Sequence, residues 1–245
     1  MMRAGRIRLK TMQAKKETAP GLQVPFQTKH SQMKKALLFA VGMLIAGFSF
    51  GQVKWGIVAG PNFSSYTTKE GSDKETSSLK TSVRAGVTVD LPLADEFFIG
   101  TGLLYAGKGG KDKDNSDLAS FKANLSYLQL PILFTYKPQV GAGNLVLGVG
   151  PYLAYGVGGK LKGTIGTATG EVKAFDDEAG DFKLNRFDAG AGIQVGYEMP
   201  QGLYFGLNAD LGLVNAVSEK TINNTDYSWK NTSFGVSVGY KFGGK

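Results

Sequence analysis

Residues 187–213 read FDAGAGIQVGYEMPQGLYFGLNADLGL. Phe187, Ala189, Ala191, Ile193, Val195 and Tyr197 alternate with Asp188, Gly190, Gly192, Gln194, Gly196 and Glu198. After Met199-Pro200-Gln201-Gly202 the rhythm resumes: Leu203, Phe205, Leu207, Ala209, Leu211 and Leu213 alternate with Tyr204, Gly206, Asn208, Asp210 and Gly212. Successive side chains of a strand point to opposite faces. The stretch therefore reads as two strands joined by a tight turn, each with one apolar face and one small or polar face.

The same period of two recurs outward in both directions. Phe234, Val236, Val238, Tyr240 and Phe242 alternate with Gly235, Ser237, Gly239 and Lys241; Val83, Ala85, Val87, Val89 and Leu91 alternate with Arg84, Gly86, Thr88 and Asp90. Eight strands are expected, at about 53–66, 82–91, 96–107, 122–136, 144–157, 184–198, 203–215 and 230–242. Connections 92–95, 137–143 and 199–202 are short and carry Pro or Gly, whereas 67–81, 108–121, 158–183 and 216–229 are long and polar. In an up-and-down barrel, alternate connections share an end. One end would then carry three tight turns and the other four long loops, as in outer-membrane barrels.

The composition of the second face separates a membrane barrel from a soluble, lipocalin-like one. A soluble barrel buries its large apolar residues, and the other face must meet water. Here that other face is mostly Gly with scattered Asp, Asn, Gln and Arg; Gly is 35 of 245 residues, roughly twice the usual ~7%. Small and pairable side chains suit the cramped lumen of an eight-stranded barrel better than a solvated surface. Aromatics fall toward strand ends, at Trp55, Tyr105, Tyr136, Tyr155, Tyr197, Tyr240 and Phe242, matching interfacial girdles. The expected fold is all-β: an eight-stranded antiparallel up-and-down transmembrane β-barrel. Its interior would be filled by a polar plug drawn from Arg84, Asp90, Gln129, Asp188, Gln194, Glu198, Asn208, Asp210 and Lys241, paired because buried charges need partners.

From Met33 the chain reads MKKALLFAVGMLIAGFSFGQ, with Lys34 and Lys35 before an apolar run and Ser49 and Gly51 before Gln52. That is the layout of a cleavable signal peptide at 33–51, and the apolar run is short for a spanning helix, which needs about 20 residues. Residues 1–32 read as a start-site extension or a disordered leader, and 52–245 as the barrel domain. The net charge of +8 sits in the leader: residues 1–51 hold nine basic residues against Glu17, and the rest hold 19 basic and 19 acidic. With no basic excess in the barrel, nucleic-acid binding loses its electrostatic basis. The single His, His30, also lies in the leader, and Cys is absent. No enzyme, cofactor or metal site is expected, since the commonest general base and the thiolate are both missing.

Three stretches imitate known sites. Gly102–Gly109, GLLYAGKG, lacks the Ser or Thr of a P-loop and ends a strand where a P-loop would open a helix. Asp112, Asp114 and Asp117 lie in DKDNSD, which lacks the Gly and Glu of a Ca²⁺ loop; it and Asp176, Asp177 and Glu178 would at most bind Ca²⁺ weakly. Gly141–Gly143 and Gly148–Gly150 lack the rest of a dinucleotide fingerprint.

Residues 127–136, YLQLPILFTY, resemble the YLxLPxLxxY signature of PorT-like outer-membrane β-barrel proteins of the Bacteroidetes, barrels of the OmpA/OmpX type. Gly56–Ser64 (GIVAGPNFS), Phe97–Lys108 (FFIGTGLLYAGK) and the closing VGYKF are similar to that family's opening, TGLLY and final strands, in order. The resemblance implies a bacterial outer-membrane location and a barrel, and little about activity. The expected role is a structural or interaction barrel contacting outer-membrane lipid, with protein partners at loops 67–81, 108–121, 158–183 and 216–229. A narrow channel, a secretion-associated barrel and a soluble ligand-binding barrel are the alternatives.

Overall fold

A computed structural model describes residues 53–112, 119–176, 184–217 and 227–243. The expected signal peptide, 33–51, and the stretch before it lie outside the described residues. The strands are β1 (Lys54–Glu70), β2 (Asp73–Thr76), β3 (Lys80–Ala94), β4 (Phe97–Lys111), β5 (Ala119–Tyr136), β6 (Gln139–Val140), β7 (Gly143–Ile165), β8 (Ala168–Lys173), β9 (Phe187–Glu198), β10 (Leu203–Gly212) and β11 (Tyr227–Phe242).

Eight of these form the wall, in the order β11-β10-β9-β7-β5-β4-β3-β1, all neighbours antiparallel. The ring closes where β11 pairs β1, from Trp55↔Phe242 to Glu70↔Tyr227. Closure leaves no wall edge without a partner, which a sheet in hydrocarbon requires. The remaining three are short additions: β2 folds back on β1, β6 on β7 at a tight turn, and β8 on the far end of β7.

The alternation sorts the faces. Ile193, Leu207, Val149, Phe234 and Val238 are exposed on the outer wall, whereas Asp188, Gln129, Tyr127, Tyr152 and Tyr204 are buried inside. Large apolar residues outside and small or polar ones inside is the arrangement of a barrel solvated by lipid, not water. At the short-turn end, Gly202 adopts a φ of 90°, open to glycine at no steric cost, and the Gly202 amide donates to the Met199 carbonyl at 2.9 Å.

The expected loops need correction. β1 runs on to Glu70, β4 to Lys111 and β7 to Ile165, while β5 begins at Ala119 and β11 at Tyr227. Much of 67–81, 108–121 and 158–183 is thus strand, with β2 and β8 completing hairpins. Beyond the lipid, both faces of a strand lose their contrast, so period two fades although the ladder continues. Conversely, 184–198 enters the wall only at Phe187 and 203–215 leaves it after Gly212; Leu184 and Val217 bridge each other over the barrel mouth.

Candidate functional site

The lumen holds three sets of polar contacts. Nearest the short turns, Lys137 Nζ lies 2.7 Å from Asp90 and 3.0 Å from Glu198. Lys241 reaches the same Asp90 oxygen at 2.9 Å and donates to Thr88 at 3.0 Å, and Lys54 meets Glu198 at 2.9 Å. Five charges thus form one chain, Lys54–Glu198–Lys137–Asp90–Lys241. Midway, Arg84 Nη1 donates to Asp210 at 2.6 Å, and Gln129 Nε2 donates to the same oxygen at 3.1 Å. Toward the long-loop end, Lys108 Nζ pairs with Asp188 at 3.0 Å and lies 4.2 Å from the ring centre of Tyr152.

Of the nine lumen residues expected from the sequence, Arg84, Asp90, Gln129, Asp188, Glu198, Asp210 and Lys241 are buried, and Gln194 and Asn208 are half-buried. The fold brings Arg84, Gln129 and Asp210 together, and Asp90 with Lys241. Gln194 instead donates to the Tyr204 hydroxyl at 2.7 Å, and Asn208 accepts from Ser237 at 3.2 Å. Asp188 and Glu198 take partners that sequence reading left in connections, Lys108 and Lys137, and Glu198 also takes Lys54 from the first strand. A cavity of about 40 Å³ lies among Arg84, Asp90, Gln194, Asn208, Tyr204 and Lys241, space for a water or two.

Above Lys108 the mouth is filled by an apolar cluster. Tyr66 stacks on Trp229 with ring centres 3.9 Å apart, and Phe121 meets both edge-on. Ala174 and Phe175, just past β8, are buried, with Phe175 edge-on to Tyr127 at 5.7 Å. A Cβ at Gly156 would stand 2.5 Å from Phe175 Cζ, so the ring can seat itself only over a glycine. Leu184, Ala216 and Val217 complete the cluster.

The look-alike motifs resolve as wall. GLLYAGKG lies within β4, and its lysine, Lys108, is 1% exposed inside the barrel, where no phosphate can reach it. Residues 113–118 and 177–183, which hold Asp114, Asp117, Asp177 and Glu178, lie outside the described residues. Among the described residues, no group of three His, Cys, Asp or Glu side chains is placed to hold a metal.

A closed antiparallel wall, an apolar outer face, short turns at one end and a filled polar lumen define a bacterial outer-membrane β-barrel. The chain belongs to the outer membrane protein beta-barrel domain family, whose model matches residues 27–218. Among solved structures it is similar to Ail, the attachment invasion locus protein of Yersinia pestis, at 11% identity over 78% of this chain and 99% of that one, with a TM-score of 0.39. It is also similar to OprG from Pseudomonas aeruginosa, at 14% identity over 79% and 97%, with a TM-score of 0.40. Neisserial surface protein A gives 9% identity over 77% and 97%, with a TM-score of 0.37. No curated protein matches the chain.

Proposed function

We propose that this barrel is sealed and non-catalytic, and that it acts by presenting its long-loop end to a protein partner outside the cell. The observation that carries the reading is the stacking of obstructions along one lumen. The Lys54–Lys241 charge chain, the Arg84–Asp210 pair, the Lys108–Asp188 pair and the Tyr66–Trp229–Phe175 cluster each cross it. An eight-stranded lumen is narrow enough for side chains to fill, and a filled lumen leaves no path for solutes. The residues from Gln52 onward hold no His and no Cys, which disfavours hydrolytic chemistry.

What is offered to a partner is the β7–β8 hairpin, whose β7 arm continues the wall beside β5 and whose β8 arm lies along its other edge. Every residue of β8 is exposed, and Ile165 at the tip is 76% exposed. A large apolar residue so placed is a natural contact point. Kinship to PorT-like barrels, export through the 33–51 signal and the polar-plug role of the nine lumen residues belong to the same proposal. The test is a photo-crosslinking residue at position 165 in living cells. A discrete adduct of defined mass is expected, and its absence, with the barrel folded, would count against a partner at this tip.

A further inference from the structure

Beyond Tyr155, β7 leaves β9 and takes β8 in its place, so the sheet ends there on β8. The Ala174 amide donates to the Gly159 carbonyl at 3.0 Å, one step past the paired Lys173 and Lys160. In an antiparallel ladder every second residue bonds across. Ala168, Gly170 and Val172 therefore turn their backbone groups to β7, and Thr169 and Glu171 turn theirs away from it. Among the described residues nothing pairs with those outward groups. An edge of this kind is a template for a further strand.

The hairpin face that turns toward the mouth holds a gap. Ala168, Gly170 and Val172 share that face with their partners Ile165, Gly163 and Leu161, and Leu161 is buried in the mouth cluster. Gly163 also pairs with Phe121 on β5, which meets Tyr66 and Trp229 edge-on. One rung thus runs Phe121, Gly163, Gly170 and then the open edge. Among the described residues, nothing lies within 4 Å of where a Cβ on Gly163 or Gly170 would stand. Ile165 and Ala168 wall the gap on one side, Leu161 and Val172 on the other, and Phe121 closes its end.

This is a socket two glycines wide, apolar on three sides and open at the edge. A glycine in a strand offers nothing to pack, and a large aromatic residue on the adjoining strand makes good the loss by lying across it. Toward the edge Gly170 holds a non-bonded position, where facing residues approach most closely. The opposite face of the hairpin sets Lys160, Lys162 and Lys173 against Glu171 and Asp176, a positive balance that acidic residues complement.

We propose that the β8 edge is a strand-addition site. A partner protein lays an extended segment antiparallel to β8, bonds to the Thr169 and Glu171 backbones, and seats an aromatic side chain over Gly170 and Gly163. Acidic residues alternate with the apolar ones of that segment. The proposal rests on the partner-presenting role above and names what the β7–β8 hairpin grips. Copies in one membrane run β8 in the same sense along the membrane normal, so a neighbouring copy does not supply the antiparallel segment.

The test uses the full-length barrel refolded in zwitterionic micelles. Its probe is a fluorescein-labelled peptide in which Asp alternates with apolar residues around a central Trp, read by anisotropy against empty micelles. Saturable binding is expected. Burial of one large side chain is enough for about a tenfold change in affinity, so the peptide with Ala in place of Trp is expected to bind about tenfold more weakly. Gly170→Val, still heat-modifiable on a gel, fills the socket and is expected to bind the two peptides equally. N-methylation of the peptide amides that face β8 is expected to abolish binding, which a purely apolar contact would survive. No saturable binding, equal binding by the methylated peptide, or an unchanged preference for Trp in Gly170→Val would overturn the proposal. In living cells, an adduct at position 165 that persists in Gly170→Val would also overturn it, while leaving a partner at the hairpin tip in place.

Discussion

Lys108 and Asp188 meet inside the barrel at 3.0 Å, each with only 1% of its side chain exposed, across 80 residues of sequence. The pair ties β4 to β9, strands that are not neighbours in the wall. The Tyr152 hydroxyl, at 3.5 Å, is the other donor near that carboxylate oxygen. Removing one partner of a buried pair strands the other charge and costs about 3–5 kcal/mol, whereas an apolar pair of similar volume is often tolerated. Lys108→Met and Asp188→Leu are each expected to lower unfolding stability by ~3 kcal/mol or more, and the double variant by less than their sum. Denaturant titration read on heat-modifiability gels checks this; additive effects would mean the two side chains do not interact.

Lys137 has a different neighbourhood. It joins Asp90 and Glu198, but Lys241 and Lys54 hold the same two carboxylates. Lys137→Met therefore leaves no carboxylate without a cation, and its cost is expected to stay below that of Lys108→Met, at about 1–3 kcal/mol. The same titration, run side by side, ranks the two.

Phe175 closes the mouth by packing on Tyr127 over Gly156. Phe175→Ala is expected to cost about 3–5 kcal/mol, as for other buried Phe truncations. It should also loosen Ala174–Asp176, which follow β8, so protease added to intact cells would cut the barrel mouth faster than in wild type. Conductance should stay closed, since the charge pairs below are untouched. Unchanged cleavage would argue that the ring does not hold the mouth.

Leu207 is 59% exposed midway along β10, and Asn208, the next residue, faces the lumen. Arginine on the lipid face near the midplane costs ~2–4 kcal/mol. Leu207→Arg is thus expected to slow assembly and lower stability in lipid vesicles by that amount, with little change if the outer face met water.

Much of this fold was legible because hydrocarbon outside and a crowded lumen inside enforce period two. Asp188, Gln194 and Glu198 could be assigned to one face from the run 187–198 alone. Lys108 and Lys137 were missed for a definable reason. Leu104, Ala106 and Lys108 continue the inward set past Tyr105, and Leu133, Thr135 and Lys137 do so past Phe134. Yet Gly107 in one case and Pro138 in the other look like the end of the strand. Carrying the parity one step further would have found both. The mouth cluster had no such signal. Phe175, Leu184 and Val217 belong to segments without periodicity, and they meet because the pairings of β8 with β7, β7 with β9 and β9 with β10 bring those strand ends together. The partners Lys108–Asp188 and Lys137–Glu198 were equally hidden, since alternation assigns a face and not a height.

The most direct measurement of the sealed-barrel reading is the current through planar lipid bilayers carrying the purified, refolded full-length protein. Insertion is verified by faster gel migration unheated than boiled. Heat-modifiable protein that yields no unitary current steps is the expected result. Reproducible steps of constant amplitude from the same preparation would contradict it, because the lumen would then carry ions past Lys137, Arg84 and Lys108.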